Sequence, residues 1–184
     1  MRSRSPKGEW EMILLVVDMQ KGIADEDLYD YENFMDKTVR LIDAARKNGV
    51  EVVFVQHDAG EGSGLSAGDE DFELVDEVGL REGEKVFVKK INSCFGNSDF
   101  RVYMEKQEDK RLMIIGLQTN YCIDATVKSA FERGFEVIIP EGTNSTFDND
   151  YMTGETTVRY YNDDVWEGMV DSVTFEEALE LMRV

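Results

Sequence analysis

The sequence predicts an α/β fold: a three-layer α/β/α arrangement around a six-stranded, mostly parallel sheet. Three observations carry this. Met12-Ile13-Leu14-Leu15-Val16-Val17 is an unbroken apolar run that stops at Asp18, the pattern of a parallel strand buried on both faces. Five further strand-like segments follow, with helix-like segments between most of them, which is how a sheet covered on both sides is wound. The length, 184 residues, fits one domain with one sizeable core. Right-handed crossovers then put every strand C-terminus on one edge, and a Rossmann-like sheet binds its ligand there.

The elements follow in order. After the first strand, Phe34, Leu41, Ile42 and Ala45 recur at helical spacing, and Asn48-Gly49 supplies a stop. Val50 to His57 (VEVVFVQH) is the second strand. Residues 60–68 hold four glycines, two serines and one large residue, Leu65, which predicts a mobile surface loop. Lys85 to Lys89 (KVFVK) is the third strand, and a helix is expected over Asp99 to Gln107. Arg111 to Gly116 (RLMIIG) is the fourth strand. Cys122 to Arg133 reads as a helix with Ile123, Val127, Ala130 and Phe131 on one face and Gly134 as its stop. Phe135 to Pro140 is the fifth strand, Tyr151 to Trp166 a helix, and Met169 to Val173 the sixth strand. Thr174 opens a last helix in the capping-box pattern. Residues 1–9 read as a flexible tail and residues 10–184 as a single domain.

Composition removes several function classes. Asp and Glu number 39 against 20 Lys and Arg, a formal net charge of −19. Phosphate backbones and anionic membranes need clustered positive charge, so neither nucleic acid nor a membrane surface is expected as partner. The longest apolar run is far short of the roughly 20 residues that span a bilayer. The basic residues Arg2, Arg4 and Lys7 are followed by no long apolar segment, so no secretory signal is read. Two cysteines cannot form a disulfide framework, and a reducing cytoplasm is the expected compartment. One histidine excludes a His-rich metal site, and His57 has only Asp58 as an obvious co-ligand, so no metal is expected. No Ser/Thr-rich phosphate loop follows the first strand and no G-x-G-x-x-G is present, which argues against a flavin or dinucleotide cofactor. Asp148-Asn149-Asp150 lacks the glycine and glutamate of a calcium loop and reads as a solvated turn.

Strand ends supply the candidate chemistry. Asp18, His57 and Lys89 close the first three strands, and Gly116 to Cys122 joins the fourth strand to its helix, so all four should rim one crevice. Cys122 lies within about one turn of an expected helix start, with Thr119 or Asn120 as N-cap. There the helix dipole and free N–H groups would lower a thiol pKa and could hold an oxyanion. A small buried core residue is the plain alternative. Asp18 is either a loop-capping carboxylate or a proton acceptor for a neighbouring thiol. Lys89 is either a solvated strand end or a cation that favours thiolate; Lys90, next in the chain, should point the other way. His57 is a structural hydrogen-bonding residue or a substrate contact. Cys94 sits in a rim loop as a bystander, and Tyr160, Tyr161 and Trp166 read as core or subunit contact.

Taken together these residues resemble the isochorismatase-like cysteine hydrolases, the family that includes nicotinamidase and N-carbamoylsarcosine amidase. Leu15-Val16-Val17-Asp18-Met19-Gln20 is similar to the family's opening LVVDMQ. Lys89, Ser93 and Phe95 fit its K-x-x-x-S-x-F, and Gly116-Leu117-Gln118-Thr119-Asn120-Tyr121-Cys122 fits its G-x-x-T-x-x-C. The resemblance runs from about Met12 to Met182. It implies a catalytic Asp18, Lys89 rather than Lys90 as catalytic lysine, and Cys122 as nucleophile. It implies a cis peptide between Leu117 and Gln118, and an oxyanion hole from the N–H groups of Gln118 and Cys122. His57, Phe95 and Tyr121 are candidate substrate contacts, and residues 60–68 and 143–150 are candidate specificity segments. The chain lacks the Asp and His cluster that holds a metal in nicotinamidases. The resemblance further implies a homo-oligomer acting on a small molecule, with Cys122 favouring attack on an amide or ureido C–N bond. A hydrolase of the same fold acting on an ester or ether, and a non-catalytic interaction protein of that fold, are the alternatives.

Overall fold

The computed structural model describes residues 12–108 and 110–183; the tail expected over residues 1–9 lies outside them. Seven strands form one sheet: β1 (Ile13–Val17), β2 (Glu51–His57), β3 (Lys85–Lys89), β4 (Arg111–Leu117), β5 (Glu136–Pro140), β6 (Asn144–Ser145) and β7 (Val170–Val173). Their order is β3-β2-β1-β4-β5-β7, with β6 pairing β4, and the paired strands run parallel. The helices are α1 (Tyr31–Lys47), α2 (Ser98–Glu105), α3 (Asp124–Glu132), α4 (Gly154–Tyr160) and α5 (Phe175–Leu181).

Strand alternation builds two cores. Leu14 and Val16 of β1 join Phe34, Leu41, Ile42, Phe175 and Ala178 on the face covered by α1 and α5. Ile13, Leu15 and Val17 point the other way, into a cluster with Phe100, Met104, Ile123, Val127 and Ala130 of the α2–α3 side. Period two along β1 meets the helical period on both faces, so every residue of β1 is buried. Among the described residues no helix is long and apolar enough to cross a membrane.

The three-layer arrangement and all six expected strands are present. The seventh, β6, was not expected: two residues carry no periodic signal. The expected helix over 151–166 is shorter. It starts at Gly154, after Thr153 caps it by accepting from the Thr156 N–H, and ends in a π-helical turn, Tyr161–Val165. Ahead of it, Asn149 Oδ1 accepts from the Tyr151 and Met152 N–H groups, which makes 148–150 a turn. Thr174 and Glu177 form the expected capping box.

The order of strands places the ligand edge. The chain moves from β1 outward to β2 and β3, then returns to β4 on β1's other side. The reversal therefore lies between β1 and β4, where a crevice opens beyond the strand C-termini. Val17 pairs with Gly116 at that end. Gly116 has φ 122°, and a Cβ there would meet Val17 O at 2.1 Å, so only glycine permits so close an approach of the two strands.

Candidate active site

Asp18 directly follows β1 with φ 53°, a left-handed conformation that aspartate tolerates better than most residues. Its N–H donates to Val55 O at 2.8 Å. His57 and Lys89 are register partners at the ends of β2 and β3. Cys122 lies in a π-helical turn, Thr119–Ile123, that precedes α3. Such turns break the regular ladder and recur at functional sites. All four sequence candidates thus reach one place.

Lys89 is its centre. Its Nζ lies 2.8 Å from Asp18 Oδ2, 3.1 Å from His57 Nδ1 and 3.2 Å from Cys122 Sγ. Lys89 and Asp18 are both 1% exposed, so their ion pair is fully desolvated. Lys90, by contrast, is exposed and, among the described residues, its ion pair is with Asp58, at 3.9 Å. The other oxygen of Asp18, Oδ1, is buried without a hydrogen-bond partner among the described residues. A buried acceptor left open costs about 1–3 kcal/mol, and here it is an acceptor kept beside the thiol.

Burial pushes the Asp18 carboxyl up, against the pull of Lys89 and Cys122. Burial also works against charge on Lys89, but Asp18 and then Cys122 outweigh it and hold the ammonium charged. Burial and the Asp18 charge push the Cys122 thiol up to about 12, with Lys89 opposing. The sequence reading expected the reverse, a thiol lowered by a helix N-terminus. The correction has three reasons. Cys122 is buried, which disfavours the thiolate; Asp18 is near enough to disfavour a second negative charge; and Cys122 lies ahead of α3 rather than at its cap.

The expected N-caps are also corrected. Gln118 holds the cap position of the turn without a side-chain cap bond. Thr119 Oγ1 donates to Asn144 Oδ1 at 2.7 Å, and Asn144 and Asn162 exchange two amide hydrogen bonds of 3.1 Å. Thr146 Oγ1 donates to Asn120 Oδ1 at 2.7 Å, with Gln118 Oε1 at 3.2 Å. β6 and the π-turn after α4 therefore brace the Leu117–Gln118 peptide, which is cis. Sequence reasoning missed these residues, because polar pairs 18 to 28 residues apart leave no local pattern.

The remaining candidates separate. Tyr121 precedes Cys122 in the chain and is exposed. Phe95 is buried, packed edge-on to Phe100 and against Phe135, so it is a core residue below the crevice. Cys94 is wholly buried and its thiol pushed up to about 12 by burial. Trp166 is buried, with Nε1 donating to Asp124 at 3.0 Å. Within 143–150, residues 143–146 are buried and only 148–150 are exposed. The 60–68 loop is tied back to the site's edge: Asp58 Oδ1 accepts from Gly60 N–H and Ser66 Oγ. Asn92 was not foreseen; its Oδ1 lies 3.9 Å from Cys122 Sγ.

Asp18, His57 and Cys122 offer donor atoms within 4.8 Å of one another, a spacing that can suit a metal ion. The Lys89 ammonium, within 3.2 Å of all three residues, already occupies the position of such a cation. A divalent ion does not fit beside it.

An Isochorismatase domain model matches residues 12–160. The chain is 28% identical to nicotinamidase 3 of Arabidopsis thaliana over 81% of this chain and 80% of that one. It is also 28% identical to ureidoacrylate amidohydrolase RutB of Yersinia enterocolitica, over 71% and 74% respectively. A cysteine hydrolase structure from Pseudomonas syringae superposes with TM-score 0.86 at 19% identity, covering 98% of this chain and 95% of that one, a likeness of fold.

Proposed function

The chain belongs to the isochorismatase family of hydrolases, and on that premise we propose that it cleaves a C–N bond of a small amide or ureido compound through a thioester on Cys122. The observation that carries the reading is the single hydrogen-bonded cluster of Asp18, Lys89 and Cys122. Two of the relatives described above carry names of amide or ureido chemistry, which supports the bond type.

Cys122 rests as a thiol, so attack and deprotonation are coupled. As Sγ bonds to the substrate carbonyl carbon, its proton passes to Asp18, whose raised pKa suits it to accept. Lys89 offsets the negative charge developing at sulfur and holds Asp18 in place. The N–H groups of Gln118 and Cys122 receive the oxyanion. Collapse expels the amine, which takes the proton from Asp18, and leaves a thioester. Water then attacks the thioester with Asp18 as base, releasing the acid and restoring the thiol. The reading takes residues 10–184 as one catalytic unit in a reducing compartment, where Cys94 and Cys122 both stay free thiols.

The test is a panel of amides, ureido compounds, esters and ethers with wild-type and Cys122→Ala protein. Expected are ammonia or amine release by the wild type alone, and an acyl adduct on Cys122 in rapid-quench mass spectrometry. Cleavage confined to esters or ethers would move the reading to that chemistry. Unimpaired turnover by Cys122→Ala would end it.

A further inference from the structure

His57 is the single histidine of the chain, and its backbone is clamped. The wholly buried Gln20 accepts the His57 N–H at 2.7 Å through Oε1 and donates to the His57 carbonyl at 3.0 Å through Nε2. The ring reaches Lys89 Nζ at 3.1 Å through Nδ1. An ammonium has three hydrogens and accepts none. Lys89 has three acceptors within 3.2 Å, which are Asp18 Oδ2, His57 Nδ1 and Cys122 Sγ. Each hydrogen has one place to go.

We propose that His57 is a positioning residue for Lys89: its neutral ring, with the proton on Nε2, takes the third ammonium hydrogen, and protonation of this ring switches the site off in acid. The kinetic part of this rests on the reading of Lys89 and Cys122 as catalytic. Only an unprotonated Nδ1 can accept from Lys89, and that fixes the tautomer. Nε2 has no hydrogen-bond partner among the described residues, and the ring is half-buried. Its N–H is therefore open to an acceptor on a bound substrate.

The charged and titratable groups around the ring are Lys89 from β3, Asp18 after β1, Asp58 next in the chain, and Cys122 across the crevice. Burial and Lys89 push the imidazole down, while Asp18 and Asp58 oppose them. At neutral pH the ring is uncharged. When it gains a proton, an Nδ1–H faces the ammonium, two cations meet without an acceptor, and Lys89 must leave its position beside Cys122.

With only one histidine, 15N-detected imidazole spectra of the wild-type protein read this ring alone. Expected are the Nε2–H tautomer at neutral pH and a titration midpoint below about 6.5, the free-imidazole value. The midpoint should rise in Lys89→Met, which removes the neighbouring cation. An Nδ1–H tautomer, or a midpoint unmoved in Lys89→Met, overturns the proposal. In turnover assays His57→Leu should lose about 100-fold in kcat, the scale of a misplaced catalytic group. His57→Asn keeps an acceptor near the Nδ1 position but cannot titrate. It should exceed His57→Leu and lose the wild-type acid limb. An acid limb unchanged in His57→Asn would assign that limb to Asp18 and also overturn the proposal. If no amide or ureido compound is turned over by the wild type, the proposed function falls, and the imidazole spectra still decide the role of His57.

Discussion

Lys89 Nζ stands 3.2 Å from Cys122 Sγ, yet the thiol is held in its protonated form, pushed up to about 12. A cation at that distance favours thiolate. What defeats it is burial, reinforced by Asp18, whose carboxylate competes for the same ammonium at 2.8 Å. With Lys89 an ammonium, Asp18 a carboxylate and Cys122 a thiol, the three groups carry no net charge and share one mobile proton. In the proposed mechanism a thiolate forms as substrate chemistry draws that proton onto Asp18.

This arrangement makes Asp18→Asn an informative variant. Removing the carboxylate removes the base, so turnover should fall by about 100- to 10,000-fold. It also removes the charge that helps raise the Cys122 thiol while Lys89 remains, so the thiol pKa should drop. Alkylation of Cys122 at neutral pH should therefore speed up as hydrolysis fails. Iodoacetamide kinetics beside an amide assay check both. A slower alkylation in Asp18→Asn would show that Asp18 does not hold the proton on sulfur.

In the wild type the sign of the shift sets the labelling profile. Cys122 is raised, so its thiolate fraction is small at neutral pH and grows about tenfold per pH unit up to the thiol's own value. Labelling should climb from pH 7 to 10 without a plateau. Cys94 has the same raised value but no exposure and should stay unlabelled until the protein unfolds. Mass spectrometry of the two peptides separates them. A plateau of Cys122 labelling below pH 8 contradicts the geometry.

How much of this was readable beforehand depends on the range of each interaction. The strands were legible because Ile13–Val17 and Glu51–His57 write burial directly into composition, and the positions of Asp18, His57 and Lys89 at strand ends followed from topology. Choosing Lys89 over Lys90 needed the resemblance, since alternation says only that one of them faces the crevice. The two-residue β6, the Asn144–Asn162 pair and the sign of the Cys122 shift were not legible. Each depends on distances between residues far apart in the chain, and the thiol's sign turns on Asp18, Lys89 and burial acting together.

Gly116 fixes the spacing beneath the site. In Gly116→Ala the new Cβ would lie 2.1 Å from Val17 O, at φ 122°, a backbone that alanine does not adopt readily. β1 and β4 must separate where Asp18 and the Leu117–Gln118 peptide begin. The loss should be at least about 3 kcal/mol, or about 6–12 °C in Tm for a chain of this size. Thermal denaturation followed by circular dichroism measures it. A variant melting like the wild type would mean that the β1–β4 contact is not as close as described.

Asn144 should act on catalysis more than on binding. Its Oδ1 accepts from Thr119 Oγ1 and from Asn162 Nδ2, and its own Nδ2 donates to Asn162 Oδ1. In Asn144→Ala the buried Thr119 hydroxyl loses its acceptor, at about 1–3 kcal/mol, and the turn that carries Cys122 loses its brace. Nothing places Asn144 itself in contact with substrate. The expected result is a fall in kcat larger than any rise in KM, because misaligned donors cost most when the oxyanion forms. Asn144→Asp keeps an acceptor for Thr119 and should recover part of kcat. A rise in KM with kcat unchanged would instead make Asn144 part of the binding surface.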